Sequence, residues 1–192
     1  LKEALQNKGI IFTMLMFFLI QVCVMLLQPL ITMYVGQLMG KVDDEAVQMA
    51  GIIFSLAGIS GILAAPFWGK RGQQYGYVRT FCYITMGAGV VNLFQFFTTD
   101  VYQFAVVQFV YGLFLAGAIP NINANLADVT DQSIRGKAFG LVTSAQMAGG
   151  FVGPLLGGAL GHVLPTRLVI ICAGVILIVM SVFTYINKVK AK

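Results

Sequence analysis

Residues Gly140–Gly158 read GLVTSAQMAGGFVGPLLGG, a run without charge in which glycine stands at 140, 149, 150, 153, 157 and 158 and returns at Gly161. The steps of four from Gly149 place these glycines on one face of a helix. A face without side chains lets a second backbone come close, the packing logic of helices in hydrocarbon. Pro154 has no backbone donor and its ring crowds the carbonyl of Gly150, which predicts a kink where the helix is thinnest. A thin, bent, uncharged helix suits a hinge.

The rest of the chain has the composition such a helix needs. Hydrophobic residues fill 58% of the 192 positions and charged residues 10%, with mean hydropathy +0.86, which does not suit a soluble domain. A helix needs roughly 20 residues to cross about 30 Å of hydrocarbon. Apolar blocks of that order cover 9–34, 47–68, 80–97, 101–126, 138–160 and 168–186. The fold class expected is an all-α membrane protein with six transmembrane helices.

All seven acidic and twelve basic residues lie between these blocks or at their ends, whereas a soluble core would scatter charge along amphipathic helices. The net charge of +5 comes from no single basic stripe, so the lipid bilayer and not nucleic acid is the expected partner. Ten of the twelve basic residues fall on one side: Lys2 and Lys8; Lys70, Arg71 and Arg79; Arg135 and Lys137; and Lys188, Lys190 and Lys192. By the positive-inside rule that side, with both termini, is cytoplasmic. Lys41 and Arg167 belong to outer loops. Cys23, Cys82 and Cys172 are far apart inside apolar blocks and read as packing thiols, with neither a disulfide framework nor a metal site. No cofactor is indicated. The first block is longer than a signal-peptide core and lacks a convincing cleavage site. The chain opens on Leu1, which points to a piece of something longer or to a processed start.

Polar residues inside the blocks mark the candidate site. Uncharged amides in hydrocarbon need a partner or a wet cavity. The first span carries Gln21, Met25, Gln28 and Thr32 at helical spacing, with Pro29 beside them. In the fourth, Gln108, Tyr111, Phe114, Ala118, Asn121 and Asn125 recur at steps of three and four, on one face, with Pro120 loosening the helix there. Gly51, Ser55, Gly58 and Gly61 in the second span point to close helix contact, and Pro66, Phe67 and Trp68 are expected to end it, followed by a tight basic loop, GKRGQQYGYVRT. Asn92 and Gln95 fall near the outer end of the third span, where headgroups and water can satisfy them. His162 follows the glycine-rich helix and reads as an interfacial hydrogen bonder.

Gly140, Gly149, Gly153-Pro154 and Gly157-Gly158 match the antiporter motif of the drug efflux proteins of the major facilitator superfamily at every fixed position, and the chain resembles that family along its whole length. The basic loop resembles the superfamily's signature between second and third helices, with Gly69 and Gly76 as its glycines and Arg79 as a trailing base. Gln73 takes the place of the motif's aspartate. Gln108 stands near a place that family members often fill with arginine in the first half. That departure, the proline followed by asparagines and the lead-in LKEALQNKG match the C-terminal half better, with the N-terminal half absent. The resemblance implies one six-helix half, an inverted three-plus-three repeat that rocks about a midplane site.

In that repeat the first and fourth spans correspond, and both carry amides and proline. The substrate path is therefore expected along Gln21, Met25, Gln28, Tyr111, Phe114, Asn121 and Asn125. An apolar, aromatic, methionine-containing surface with a few amides suits small amphiphilic substrates. The family implies multidrug efflux by proton-coupled antiport in a plasma membrane of bacterial type. No span carries a carboxylate at mid-depth, Asp100 and Asp128 being at span ends, so coupling is expected only when a missing half or a second copy supplies one. The alternative is a noncatalytic helical membrane subunit or scaffold, which needs no polar cavity. An intramembrane enzyme would show clustered His, Asp, Glu or Cys, and the sequence has no such cluster.

Overall fold

A computed structural model describes residues 7–41 and 43–189. Lys2, Lys190 and Lys192, three of the expected cytoplasmic residues, lie outside them. Among the described residues the chain is helix and connection with no strand. Helix α1 is Lys8–Met39, α2 Asp44–Tyr75, α3 Tyr77–Phe94 with a 3-10 turn at Gln95–Phe97, α4 Val101–Leu115, α5 Ala118–Asp128, α6 Arg135–Val163 and α7 Thr166–Thr184, continued by a π turn to Val189. With α4 and α5 counted together these make six spans long and apolar enough to cross a membrane. The helices continue past the apolar blocks at several ends.

Local chemistry sets several of those ends. The Asn7 side chain accepts from Gly9 N at 2.8 Å and starts α1; Gly40, at φ 69°, stops it. Asp43 starts α2 by accepting from Ala46 N at 3.1 Å, and Asp100 starts α4 by accepting from Tyr102 N at 2.9 Å. The α1, α2 and α6 helices run on through Pro29, Pro66 and Pro154. The tight basic loop expected after Trp68 is thus mostly helix. α2 continues to Tyr75, and the reversal into α3 falls on Gly76 alone, whose φ of 91° suits glycine.

The closest packing is between α1 and α6, along the glycine stripe. A Cβ on Gly149 would stand 2.6 Å from the carbonyl oxygen of Phe18, and one on Gly153 would stand 2.7 Å from Met25 Cβ and 3.0 Å from the Val22 carbonyl oxygen. One on Gly157 would collide with the Leu26 carbonyl, and Gly161 abuts Leu30. Gly140 and Gly158, the other glycines of the motif, have open space in front of them. A second close crossing joins α3 and α7, where a Cβ on Gly89 would stand 2.9 Å from the Gly174 carbonyl oxygen.

Two expectations about small and polar residues are corrected. Gly51 and Gly58 touch no other helix; of the expected stripe Gly61 alone faces the fourth span, where a Cβ on it would stand 3.6 Å from Ala116 Cβ, and the closer α2–α4 contact is made by Ala57 and Ser60 against Gly112. Asn92 and Gln95 are buried in protein, not left to headgroups and water: Asn92 Nδ2 donates to the Ile170 carbonyl at 3.2 Å and Gln95 Nε2 to Gln108 Oε1 at 2.9 Å. Of the three free cysteines, Cys23 and Cys82 are buried and Cys172 is exposed.

The first and last described segments meet at one end of the bundle, where Lys188 Nζ lies 5.1 Å from the Phe12 ring centre. The opposite end is tied by Tyr34, whose hydroxyl reaches Thr98 Oγ1 at 3.2 Å, and by Arg167, which donates to the Thr98 carbonyl at 3.3 Å. Beside it the Lys41 ammonium contacts Asp43 at 3.4 Å and Glu45 more closely.

Candidate functional site

The fourth span is two helices because its backbone ladder slips at Ala116–Gly117. Gly117 N bonds to the Phe114 carbonyl at 3.2 Å, three residues back, instead of to Leu113. Pro120 contributes no donor in the next turn. The freed Leu113 carbonyl accepts from Trp68 Nε1 at 2.6 Å, and Asn121 Nδ2 donates to the carbonyls of Gly117 at 2.8 Å and Trp68 at 3.2 Å. Tryptophan and asparagine thus staple the break to α2.

That break divides the polar face expected along the fourth span. Gln108 and Tyr111, above it, turn toward α1 and α2 and line a cavity of about 490 Å³ with Gln21, Met25 and Gln28 of α1. Phe114 points to the other side, its ring centre 5.8 Å from that of Trp68 and its edge filling the space in front of Gly87. Asn121 is buried in the staple, beside the bare Cα of Gly72. Asn125 lines a separate groove at the basic end, with Gln73, Gly76, Arg79 and Asp128. Of the seven residues expected along the substrate path, the cavity brings together four, Gln21, Met25, Gln28 and Tyr111.

Chemically the cavity is an apolar volume with a few polar points. Phe54, Leu115 and Ile119 supply much of its wall, and Gly58, Gly61 and Gly112 keep it open. The Gln108 amide oxygen is engaged by Gln95, which fixes the side chain. Gln146 Nε2 lies 3.5 Å from Gln21 Oε1. The Tyr111 hydroxyl is buried and has no hydrogen-bond partner among the described residues. An orphaned donor in an apolar wall is costly, and because the hydroxyl oxygen is shielded by protein it is not among the polar points that the open cavity presents.

Sequence reasoning missed three contributors, Gln108 as a fixed cavity residue, Phe54 and the α2 glycines. Gln108 was legible as part of the periodic face. The α2 glycines were legible as a stripe, but their role as open wall was not.

The α2 and α6 helices leave most surface uncovered, burying 22% and 17% of their most apolar stretches against 50% in α1. Ile52, Ile59 and Ile62 on α2 and Met147, Phe151 and Leu155 on α6 are all exposed.

The sequence model of one family, described as Major Facilitator Superfamily, matches residues 9–192. Multidrug resistance protein MdtG of Dickeya zeae is 29% identical over 161 residues, 83% of this chain and 39% of that protein. The protein of the same name from Serratia proteamaculans is 33% identical over 158 residues, 79% of this chain and 37% of its own length. An uncharacterized MFS-type transporter, YuxJ of Bacillus subtilis, is 32% identical over 145 residues, 76% and 36% of the two chains. The chain spans less than two-fifths of the length of these relatives.

Proposed function

Because the chain belongs to the Major Facilitator Superfamily, we propose that it is one six-helix half of a transporter for small amphiphilic molecules, working by proton-coupled multidrug efflux when paired with a second half. The C-terminal half is the part it resembles. The pairing half is either an N-terminal six-helix unit or a second copy. The basic end, with both chain ends, faces the cytoplasm of a bacterial plasma membrane, in keeping with the positive-inside rule.

The observation that carries the reading is the cavity of about 490 Å³, which joins Gln21, Gln28, Gln108 and the Tyr111 ring on α1 and α4 within apolar walls. Its volume is that of a drug-sized ligand site. The relatives named multidrug resistance proteins support the substrate class. A scaffold has no use for a polar cavity, whereas the uncovered faces of α2 and α6 suit the docking of another bundle. Gln28→Ala and Gln108→Ala, expressed with the pairing half, test the reading through fluorescent dye efflux. Altered dye selectivity with normal assembly supports transport. Unaltered efflux of every dye argues against this cavity as the path.

A further inference from the structure

A second site opens at the basic end of the bundle, between α2 and α3, around a volume of about 380 Å³. Phe67, Trp68, Arg71 and Tyr75 of α2 and Arg79 and Tyr83 of α3 line it. The Arg71 guanidinium is held by its neighbours: its carbon stands 5.2 Å from the Phe67 ring centre and 5.3 Å from that of Tyr75, and Nη1 donates to the Tyr75 hydroxyl at 3.1 Å. The Thr80 hydroxyl donates to the Arg71 carbonyl at 3.2 Å, tying the start of α3 to the same turn of α2. Yet among the described residues the ion pairs are those of Lys41 at the far end, and no carboxylate pairs with Arg71 or Arg79. Two guanidiniums, one of them positioned by two rings, lack an anion.

The surroundings say which anion. Phe67, Tyr75 and Tyr83 are 51%, 53% and 55% exposed, at the end of membrane-spanning helices where aromatic residues meet headgroups. The planar guanidinium suits phosphate oxygens in a bidentate contact, and basic pockets between helices recognise anionic headgroups. A second protein bundle closing the cavity would lie elsewhere: the cavity face of α2 carries Phe54, Gly58 and Gly61, and the Arg71 face is centred roughly 100° round the helix from it.

We propose that Arg71 and Arg79 hold the phosphate of an anionic phospholipid in the leaflet at the basic end, with the glycerol and upper acyl chains lying against Phe67 and Tyr83. The assignment concerns lipid contact alone and stands or falls independently of substrate transport.

Trp68 is the single tryptophan of the chain and lines the site, so it reports on whatever occupies it. The 192-residue chain is reconstituted in phosphatidylcholine vesicles carrying an equal small fraction of either brominated phosphatidylglycerol or brominated phosphatidylcholine, since bromine quenches tryptophan at short range. Brominated phosphatidylglycerol is expected to show at least about fivefold higher local occupancy beside Trp68 than brominated phosphatidylcholine, the preference that even one of the two basic contacts would confer. Arg71→Gln and Arg79→Gln, both exposed positions, each lower that ratio, and the double variant brings it close to one. Lys137→Gln removes one charge at the same end but outside the site, and leaves the ratio unchanged. Equal quenching by the two lipids in the wild type would overturn the assignment. A drop in Lys137→Gln as large as that in Arg71→Gln would overturn it in favour of diffuse charge, and no quenching by either lipid would mean that protein covers the site.

Discussion

The indole of Trp68 donates to the carbonyl oxygen of Leu113 at 2.6 Å, a carbonyl left free because Gly117 N turns to Phe114 instead. A side chain of α2 therefore supplies the hydrogen bond that the fourth span lacks at its break. Asn121 completes the arrangement by donating to the Trp68 carbonyl from beyond the break.

Trp68→Phe keeps an aromatic ring but orphans the Leu113 carbonyl. The expected loss of stability is about 1–3 kcal/mol, read as a lower midpoint of thermal unfolding in detergent. Asn121→Ala breaks the reciprocal bond, and the double variant should lose less than the two single losses together, because one staple is removed once. Strict additivity would show that the two bonds act separately.

The glycines of α6 make opposite predictions according to what they face. Gly153→Ala sets a Cβ 2.7 Å from Met25 Cβ and 3.0 Å from a backbone carbonyl oxygen, so α1 and α6 must separate, at a cost of about 1–3 kcal/mol. Gly158→Ala meets nothing within 4 Å and gains helix propensity, so stability holds or rises by about 0.5–1 kcal/mol. Equal unfolding midpoints for the two variants would refute the packing.

These pairs show what periodicity can and cannot say. The six spans were legible because apolar blocks of membrane length leave little choice. The stripe at Gly149, Gly153 and Gly157 does pack on α1, whereas the similar stripe at Gly51, Ser55 and Gly58 faces open space. Spacing tells which residues share a face, not whether a neighbour covers it. The break at Ala116–Gly117 was hidden for a related reason: Pro120, the visible breaker, lies after it, and the bond that stabilises the slipped turn comes from Trp68, distant in sequence. Phe114 and Asn121 consequently left the face that counting assigned to them. Asn92 and Gln95 were misread as exposed because depth along a span says nothing about which side of the helix is buried.

Tyr111→Phe separates the cavity's chemistry from its packing. Deleting a buried hydroxyl without a partner removes a desolvation cost of about 1–3 kcal/mol, so the empty protein should unfold at the same or a higher temperature. Because the hydroxyl is shielded from the cavity, substrates with and without a hydrogen-bond acceptor should bind the variant as they bind the wild type. A destabilised Tyr111→Phe variant would mean that the hydroxyl is already engaged.

The start of α2 should respond to acid. The Asp43 carboxylate accepts from Ala46 N and sits beside Lys41, which holds its pKa below the ordinary carboxylate value, while Glu45 foremost raises that of Lys41. The Asp43 contribution is therefore fully present above the unfolded carboxylate pKa of about 3.9 and is lost as pH falls through the lowered folded value; the Lys41 contribution is present below about 10.4 and is lost as pH rises through the raised one. Hydrogen-exchange protection of the Ala46 amide should fall at the acid end, and Asp43→Asn, which keeps an acceptor at the cap, should flatten that fall. Protection that is independent of pH at the acid end would count against the cap.

In the proposed function this bundle holds one side of a transport cavity and needs a second six-helix half to close it. Gln28 is exposed and the faces of α2 and α6 are largely uncovered, which in hydrocarbon leaves polar groups at a cost of about a kcal/mol or more each. The decisive measurement is accumulation of a fluorescent cationic dye in liposomes under an imposed pH gradient, with the 192-residue chain reconstituted alone as a demonstrated monomer and then together with an N-terminal half from a relative. The account predicts no gradient-driven movement with the monomer and movement with the pair, abolished when the membrane carboxylates of the added half are neutralised. Gradient-driven dye movement by the monomer would contradict it.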